Sequence, residues 1–491
     1  MLEQTDTGQS TQPTMVNLRG MLDAEGITPE AKDAVELLVA EYERHVDHNE
    51  ILRNYYDGNV TVSDYGVTAD IPNDQACDWP QKAVNDWAER ITLERITLPP
   101  DVDDTVLREV IDRNNLIDNY NQHVPVKGLY GCMAATVNRS EDGHAVVRFH
   151  GADTFTALPS PDFTDGVVSC GLAIARREHT PWSRILPVPT IVNLHMPHNV
   201  GEFVQRDKND WAYTEGPMAE RLPTLYVFAH RRVGTVAPFG RTRITKFVRT
   251  LTDDAIRCLW HMQVSGTFYS MPKMYMLGLT DEQFDTVMNK KAQYQLSRIL
   301  ALTPNDQTEQ NPTVGQLSGN SPQPFIDELR SLAAQFSGAS GVPLSSLGII
   351  QDNPSSAEAI QTAREDISMI AMRDISADKV TLRRVMRAAL AVELNTTTDD
   401  LGEEMRDISA KFADPILHTL NERADWATKV NSIRPGFGAT DVAARYVGID
   451  EADLEQVRSD EAKAATNAAV TAMFGGVGGA DTAQLRGGIQ P

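Results

Sequence analysis

The chain has 491 residues and a mass of 54.1 kDa, which is too long for one compact core and indicates two to four domains. No run of 18 or more apolar residues occurs, so the sequence predicts no membrane span, and the polar N-terminus lacks the pattern of a signal peptide. The formal net charge of −23 argues against a sequence-specific DNA-binding protein, because such proteins carry a net basic footprint.

The four cysteines are far apart and form no CxxC pair; they are Cys77, Cys132, Cys170 and Cys258. This spacing fits neither a zinc site nor a disulfide framework. We therefore expect free, mostly buried thiols in a reducing compartment.

Charge is distributed unevenly along the chain. Residues 1–120 hold 25 acids and 9 bases, whereas residues 221–300 hold 12 bases and 5 acids. The basic segment includes Arg241, Arg243, Lys246 and Arg249. Two interpretations remain open: a solvated face, or a surface that contacts phosphate or an acidic partner subunit.

The N-terminal part is predicted to be helical after a disordered stretch over residues 1–18. A helix begins at Pro29 and ends at Gly58. Its expected apolar stripe is Ala34, Leu37, Leu38, Tyr42 and His45. A second helix over residues 78–91 has the stripe Trp79, Val84, Trp87 and Ile91, and further helices are expected over residues 103–139.

Short β-prone runs separated by turn signals such as "EDG" and "PHN" dominate residues 133–230. They predict an antiparallel sheet region joined to the preceding helices, and hence an α+β fold. A strand is also expected at "DISAKFADP", residues 407–415.

Helical patterns return after residue 250. A helix capped by Thr252 or Asp253 is followed by a polar, proline-broken insertion at residues 279–320 and by a helix over residues 325–341. A long helix is expected over residues 355–394, with Ile360, Ile367, Ile370, Ala371, Ile375, Leu382, Val385, Met386 and Leu390 as its apolar positions. Three shorter helices and a mobile tail end the chain.

Motifs for known chemistry are absent from the sequence. It contains no GxxxxGK[ST], HExxH, GxSxG or paired-cysteine zinc signature. The pairs His45/His48 and His195/His198 have spacings that a metal could use, but polar surface positions are the commoner explanation, and Ser376–Lys379 matches S-x-x-K in letters only. We predict no catalytic residue, metal or cofactor.

The stretch "DNPSSAEAI" has the residues that favour the start of a helix. Asn353 can cap with Pro354 at the first helical position, or Ser355 can cap with Glu358 completing a capping box. The full motif is Asn353, Pro354, Ser355, Ser356 and Glu358. The preceding connection is apolar and contains Gly341 and Gly348, which allow it to move. Without further information, a helix–loop–helix connector in a core explains it.

The amino-acid sequence of this region resembles that of a known protein family. "SPQPFIDELRSLAAQFSGASG", "SGVPLSSLG" and "NPSSAEAI" follow one another over residues 321–360, and "YYDGN", "WPQKAVNDWAERI" and "PFGRTRITKFVRTLTDDAIR" precede them in order. Together they closely resemble portal proteins of long-tailed bacteriophages (siphoviruses), especially those that infect actinobacteria. The resemblance spans about residues 30–460.

The resemblance implies the portal fold with its wing, stem, clip and crown. Its parts would be a wing over 19–249, a stem helix over 250–277, a clip over 278–321, a second stem helix over 322–341, a tunnel loop over 342–354, a long wing helix and strand over 355–414, a crown over 415–470 and a flexible tail over 471–491. The clip boundaries are the least defined, because no motif lies within the insertion.

The resemblance also implies a function: a ring, usually a dodecamer, at one capsid vertex of the virion, assembled in the host cytoplasm. The ring would be the channel for DNA packaging and genome ejection. Implied partners are other copies of the chain, double-stranded DNA without sequence specificity, terminase, head–tail connector and adaptor proteins, and the major capsid and scaffolding proteins; no membrane is involved. The implied DNA-channel residues are Leu347, Gly348, Ile349, Ile350, Gln351, Asp352 and Asn353.

Two alternatives remain at this point. One is another phage head component, such as an adaptor or a scaffold-like protein, although adaptors are usually much shorter and scaffolds lack a β-rich section. The other is an enzyme with an unrecognised hydrolase or nuclease site. The portal interpretation itself implies no enzyme, because ATP hydrolysis would belong to a separate terminase.

Overall fold

The computed structural model describes ten stretches of the chain: residues 18–62, 74–161, 167–217, 223–270, 274–277, 313–316, 321–349, 365–416, 420–449 and 451–475. The chain divides into two compact units, residues 1–415 and residues 416–491. Among the described stretches, no helix combines the length and the apolar character that a bilayer span requires.

The helices in the described part of the first unit are α1 (Pro29–Tyr56), α2 (Trp79–Ala88), α3 (Thr105–Arg113), α4 (Leu116–Tyr130), α5 (Lys246–Ser270), α6 (Gln323–Ser340), α7 (Glu365–Glu393) and α8 (Glu403–Arg406). The signals at the ends of α1 act as predicted. Thr28 accepts a hydrogen bond from the Ala31 amide at 3.3 Å, Pro29 is the first helical residue, and Gly58 has a φ of 71°.

The strands are β1 (Leu93–Thr97), β2 (Cys132–Arg139), β3 (Ala145–Gly151), β4 (Phe155–Pro159), β5 (Val168–Thr180), β6 (Ser183–Met196), β7 (Asn199–Asp207), β8 (Asp210–Pro217), β9 (Leu225–Ala229), β10 (Met274–Leu277), β11 (Thr313–Gln316) and β12 (Ser409–Phe412). They form an antiparallel five-stranded sheet in the order β4-β5-β6-β7-β8 and a three-stranded sheet in the order β3-β2-β9. The pairs β1-β12 and β10-β11 are separate ribbons. The predicted α+β class and antiparallel sheet region are confirmed.

The two larger sheets approach each other closely at Gly171 of β5. A Cβ at this position would lie 2.7 Å from a side-chain carbon of Leu225 in β9. Only glycine fits such an approach without a shift of the neighbouring side chain.

The largest core lies where α2, α4, α7 and the three-stranded sheet meet. Trp87, Tyr120 and Phe228 are fully buried there, and the ring centroids of Tyr120 and Phe228 lie 5.8 Å apart in an edge-to-face arrangement. A second core joins α1 and the short 3₁₀ turn Leu18–Asp23 to the five-stranded sheet. The stripe predicted for α2 is confirmed, because all four of its members are buried.

The stripe predicted for α1 was partly wrong. Leu37 is 59% exposed and His45 is also exposed, whereas Val35 and Val39 are buried. Leucine and valine occur on several sides of this helix, so the apolar pattern fits more than one orientation. The position of the sheet decides which side is covered.

Three further features differ from the sequence predictions. Strand β1 was missed, and its partner β12, which was predicted, lies more than 300 residues away in sequence. Helix α5 begins at Lys246, so Thr252 is not a cap; its hydroxyl donates to the Val248 carbonyl within the helix at 2.8 Å. The helix also ends at Ser270, and residues 274–277 of the predicted stem helix form β10.

Helices α6 and α7 match the sequence predictions over their described lengths, and Gly341 ends α6 with a φ of 78°. The four cysteines are free, and Cys77, Cys170 and Cys258 are buried, as predicted. The predictions for residues 1–17, for the insertion over 278–312 and for the tail over 476–491 lie outside the described residues.

The second unit contains the three predicted helices, here α9 (Leu420–Ile433), α10 (Asp441–Val447) and α11 (Glu451–Gly475). Thr440 caps α10 by accepting from the Ala443 amide at 3.3 Å. The Trp426 ring packs 4.3 Å from the Tyr446 ring and 5.7 Å from the Phe437 ring. This aromatic group joins α9 to α10.

Candidate functional site

The paired helices α5 and α6 support the segment that the sequence singles out. The Cys258 thiol of α5 donates to the Phe325 carbonyl at 3.2 Å. At the other end of α6, Phe336 is buried and its ring lies 5.2 Å from that of Trp79 in α2. These contacts anchor the C-terminal end of α6 in the main core.

Arg243 binds the C-terminal end of α6. Its guanidinium donates to the Ser340 carbonyl at 2.7 Å and to the Ala83 carbonyl of α2. Ser340 is the last residue of α6, where a carbonyl lacks an intrahelical partner, whereas Ala83 lies in the middle of α2. The Arg243 group also lies 5.5 Å from the Trp87 ring centroid. Burial lowers the pKa of Arg243 to about 9, so at pH 7 it is a buried cation held by carbonyl oxygens.

The two ends of the segment between α6 and α7 lie close together. A Cβ on Gly341 would lie 3.9 Å from the Cβ of Ile367 in the first turn of α7. Val342 and Ile367 are both fully buried, so the two ends meet in the core. We call this meeting point of Gly341, Val342 and Ile367 the loop base.

The described part of this loop contains a short 3₁₀ turn, Leu344–Leu347, and then Gly348 with a φ of 78°. Gly348 is exposed, and a Cβ there would meet nothing within 4 Å. Left-handed backbone of this kind favours glycine, so Gly348 is suited to act as a hinge in this segment.

The structure places the predicted channel residues in different surroundings. Leu347 is buried and was assigned wrongly to a channel surface, because it packs in the main core as an anchor of the loop base. Ile349 is partly buried against the same core. Ile350, Gln351, Asp352 and Asn353 lie outside the described residues, as does the helix-start motif Asn353, Pro354, Ser355, Ser356 and Glu358.

The four basic residues predicted to contact phosphate or a partner also differ in their exposure. Arg241 and Lys246 are exposed, and Arg249 is partly buried with its guanidinium 5.8 Å from the Tyr55 ring. Arg243 is only 4% exposed and does not belong to this surface. The sequence missed its burial because the backbone carbonyls that it binds come from distant parts of the chain.

A buried ionic cluster behind the loop base was not predicted. Lys127 of α4 lies 2.5 Å from Asp378 of α7, and both side chains are almost completely buried. The Tyr120 hydroxyl of α4 donates to the same carboxylate. Burial raises the pKa of Asp378, and the charge of Lys127 acts in the opposite direction. This pair ties α7 to α4 inside the core.

A second buried carboxylate lies one turn earlier in α7. Asp374 accepts from the His230 ring at 2.7 Å and from the Trp87 indole at 3.1 Å. Burial lowers the pKa of His230 to about 4, although Asp374 opposes the shift, so the ring is neutral at pH 7 and donates through Nδ1–H. Burial alone would raise the pKa of Asp374, but the His230 hydrogen bond and the Lys127 charge outweigh it and lower that pKa.

The geometry of the cluster indicates a structural role, because its groups are enclosed by α2, α4, α7 and β9 and are paired with one another. A sequence signal for it existed. Asp374 and Asp378 fall among the apolar positions Ala371, Ile375 and Leu382 of the long helix, and a carboxylate on a buried face requires a partner. Among the described residues, no group of three or more His, Cys, Asp or Glu side chains is arranged to hold a metal ion.

His195 gives a test of how the sheet core responds to acid. It is completely buried, it hydrogen-bonds Thr224 at 2.9 Å, and burial lowers its pKa to about 3. The unfolded chain takes up this proton below about pH 6.5 and the folded chain does not, so the stability falls as the pH falls through this window. His195→Asn should reduce the loss of unfolding free energy between pH 7 and pH 5 by about 2 kcal/mol.

Urea denaturation at both pH values measures this effect. His179→Asn is the matched control, because His179 is exposed on the adjacent strand β5. Between pH 7 and pH 5 the control should lose the same amount of unfolding free energy as the parent protein. Equal pH dependence in the His195 variant and the parent would contradict the role given to burial.

The class that these features define is an α+β protein built around two paired helices, α5 and α6, and the long helix α7. Comparison with known families then identifies it. Residues 198–466, more than half of the chain, match the family "Phage portal protein, SPP1 Gp6-like". The chain belongs to this phage portal family, which confirms the resemblance inferred from the sequence.

Two curated relatives agree with this membership. The portal proteins of Mycobacterium phage D29 and Mycobacterium phage L5 are each 27% identical to this chain over 232 residues. Each match covers 46% of this chain and 46% of the relative, so it spans about half the length of these curated proteins.

Two solved structures are similar in fold at 12% sequence identity. The neck of an empty GTA particle, computed with C6 symmetry, has a TM-score of 0.47 and covers 89% of this chain and 99% of its own. The neck of a native GTA particle, computed with C12 symmetry, has a TM-score of 0.42, with coverages of 76% and 90%.

Proposed function

We propose that copies of this chain assemble into a ring at one capsid vertex and that the ring is the channel through which genome DNA is packaged and ejected. The observation that carries the proposal is the family match over residues 198–466. The matched region includes α5, α6, the loop base and α7, and it extends into the second unit.

We assign residues 342–354 to a tunnel loop that meets DNA. Its base is fixed where Gly341 meets Ile367, and Gly348 allows the chain beyond it to change direction. The residues from Ile350 to Asn353 include no lysine or arginine. Contact with DNA would thus be steric and polar, which lets every sequence pass without ion pairs that slow it.

The net charge of the chain supports its role as a channel for DNA. Each copy carries −23, so a ring repels phosphate at long range and limits sticking of DNA to its walls. Arg241, Lys246 and Arg249 remain proposed contacts for phosphate or for an acidic partner. In this proposal they supply transient attraction within an otherwise repulsive surface.

The segment names follow the same proposal. Helices α5 and α6 form the stem, the insertion between them forms the clip, and the first unit apart from these parts forms the wing. The second unit begins at Ile416, one residue beyond the proposed start of the crown at residue 415. This division supports a crown that folds as its own compact unit.

The proposed partners and location follow from the ring. Terminase and head–tail connector proteins would dock on it, capsid and scaffolding proteins would surround it, and assembly would take place in the host cytoplasm before the ring becomes part of the virion. The family is structural, and the proposal assigns ATP hydrolysis to terminase.

Negative-stain electron microscopy of the purified chain tests the proposal. We expect rings with a central hole, and we expect light scattering to give a mass that is a multiple of 54.1 kDa. Particles that remain single subunits at micromolar concentration would contradict the ring.

A further inference from the structure

One face of α7 is exposed and combines apolar side chains with basic ones. Met369 and Val380 are 59% and 47% exposed, and Arg373 and Arg383 lie on the same side at helical spacing. The acids between Arg373 and Arg387 are Asp374 and Asp378, which are buried in the core. From Arg373 to Arg387 the exposed charge of α7 is therefore entirely basic, whereas Glu365 and Asp366 are exposed in its first turn. We call Met369, Arg373, Lys379, Val380 and Arg383 the basic face.

Helix α1 carries the complementary pattern. Leu37 and Ile51 are 59% and 42% exposed, and Glu30, Asp33 and Glu36 are exposed beside Leu37. The acids between Glu30 and Glu43 outnumber the bases by five to one, with Lys32 as the base. We call Glu30, Asp33, Glu36, Leu37 and Ile51 the acidic face.

Arg383 donates to the Ile408 carbonyl at 3.0 Å, but the other charged groups of the two faces form no ion pair within the described part of the subunit. Among the described residues, no ion pair within 4.0 Å involves Arg373, Lys379, Glu30, Asp33 or Glu36. By contrast, other charges of α1 are paired: Arg44 lies 2.6 Å from Glu41. The five unpaired groups are available to a partner.

The two faces belong to helices that are anchored to different parts of the first unit. Helix α1 is held on β4 and the turn before it, where Asn49 donates to the Ala152 carbonyl at 3.1 Å and Tyr42 donates to the Asp153 carbonyl at 2.9 Å. Helix α7 is held against α4 and the three-stranded sheet through Asp374 and Asp378. Both faces point away from these attachments.

A closed ring of more than two copies requires a heterologous interface, in which two different surfaces of each copy meet. Interfaces combine apolar side chains with a polar rim, and complementary charges fix the register and reject wrong pairings. We propose that the basic face of α7 docks on the acidic face of α1 in the next copy of this chain. The proposal rests on the ring proposed above and names the surfaces that build it.

Charge reversal on one face at a time tests this interface. Arg373→Glu/Lys379→Glu gives a subunit with two acidic faces, and Asp33→Lys/Glu36→Lys gives a subunit with two basic faces. Each variant alone should lose the rings seen for the wild type in negative stain, because like charges then meet. An equimolar mixture should recover rings, since alternating copies present opposite charges at every contact.

The matched control is Arg184→Glu/Lys208→Glu, which makes the same change in charge at exposed positions outside both faces and should still form rings. Far-UV circular dichroism checks that all variants are folded, as expected for exposed substitutions. Normal rings from either face variant alone, or no recovery in the mixture of folded variants, would overturn this interface while leaving the proposed ring intact. A wild-type chain that forms no rings would overturn the proposed function instead.

Discussion

Replacing Lys127 with methionine is expected to lower the free energy of unfolding by about 3–5 kcal/mol, the usual cost of removing one partner of a buried ion pair. The Lys127 ammonium lies 2.5 Å from the Asp378 carboxylate, and neither side chain reaches solvent appreciably. Methionine retains most of the volume of lysine, so the effect reports the lost charge and not a cavity. Urea denaturation at pH 8, followed by circular dichroism, measures it.

The pH dependence of this variant gives an internal check. Burial raises the folded-state pKa of Asp378, and removal of Lys127 removes an opposing influence. The folded variant therefore holds this proton at a higher pH than the unfolded chain does, and its stability falls as the pH rises through the folded pKa. The deficit relative to the parent should be smaller at pH 5 than at pH 8.

The double variant Lys127→Met/Asp378→Leu is the matched control. Replacing both charges by apolar groups of similar size removes the unpaired carboxylate, and such replacements are often neutral or stabilising. We expect the double variant to recover most of the lost stability. A Lys127→Met variant within about 1 kcal/mol of the parent would show that the pair contributes little, as surface pairs do.

Local patterns account for what could be predicted from the sequence. The helices α2, α6 and α7 and the strands between residues 132 and 229 follow from apolar periodicity and turn residues, which act over a few positions. The caps Thr28, Pro29 and Gly58 are likewise local. The end of α6 at Gly341 is also a local signal.

The remaining features depend on contacts between distant residues. Lys127 and Asp378 are 251 positions apart, and β1 and β12 are separated still further. Arg243 was grouped with exposed basic residues because nothing near it in sequence shows that it binds the carbonyls of Ala83 and Ser340. The orientation of α1 was ambiguous for the same reason, since the sheet that covers it lies more than 100 residues away.

The buried position of Leu347 sharpens the test of the tunnel loop. A deletion that removed Leu347 would damage the core as well as the loop, so a loss of function would have two explanations. Deleting Ile350, Gln351 and Asp352 instead leaves the anchor, the hinge at Gly348 and the helix-start motif intact. This deletion separates the function of the loop from the stability of its base.

We expect the deletion variant to form rings of normal appearance but to fail in packaging or retaining DNA when it replaces the wild-type portal in the phage. The base of the loop stays closed because Gly341 still meets Ile367, so assembly does not depend on the deleted residues. Quantifying encapsidated DNA and plaque titre measures the effect. Ser345→Ala, an exposed change in the 3₁₀ turn of the base, is the control and should package normally. DNA-filled, infectious particles from the deletion variant would show that the segment beyond Gly348 does not act on the passing DNA.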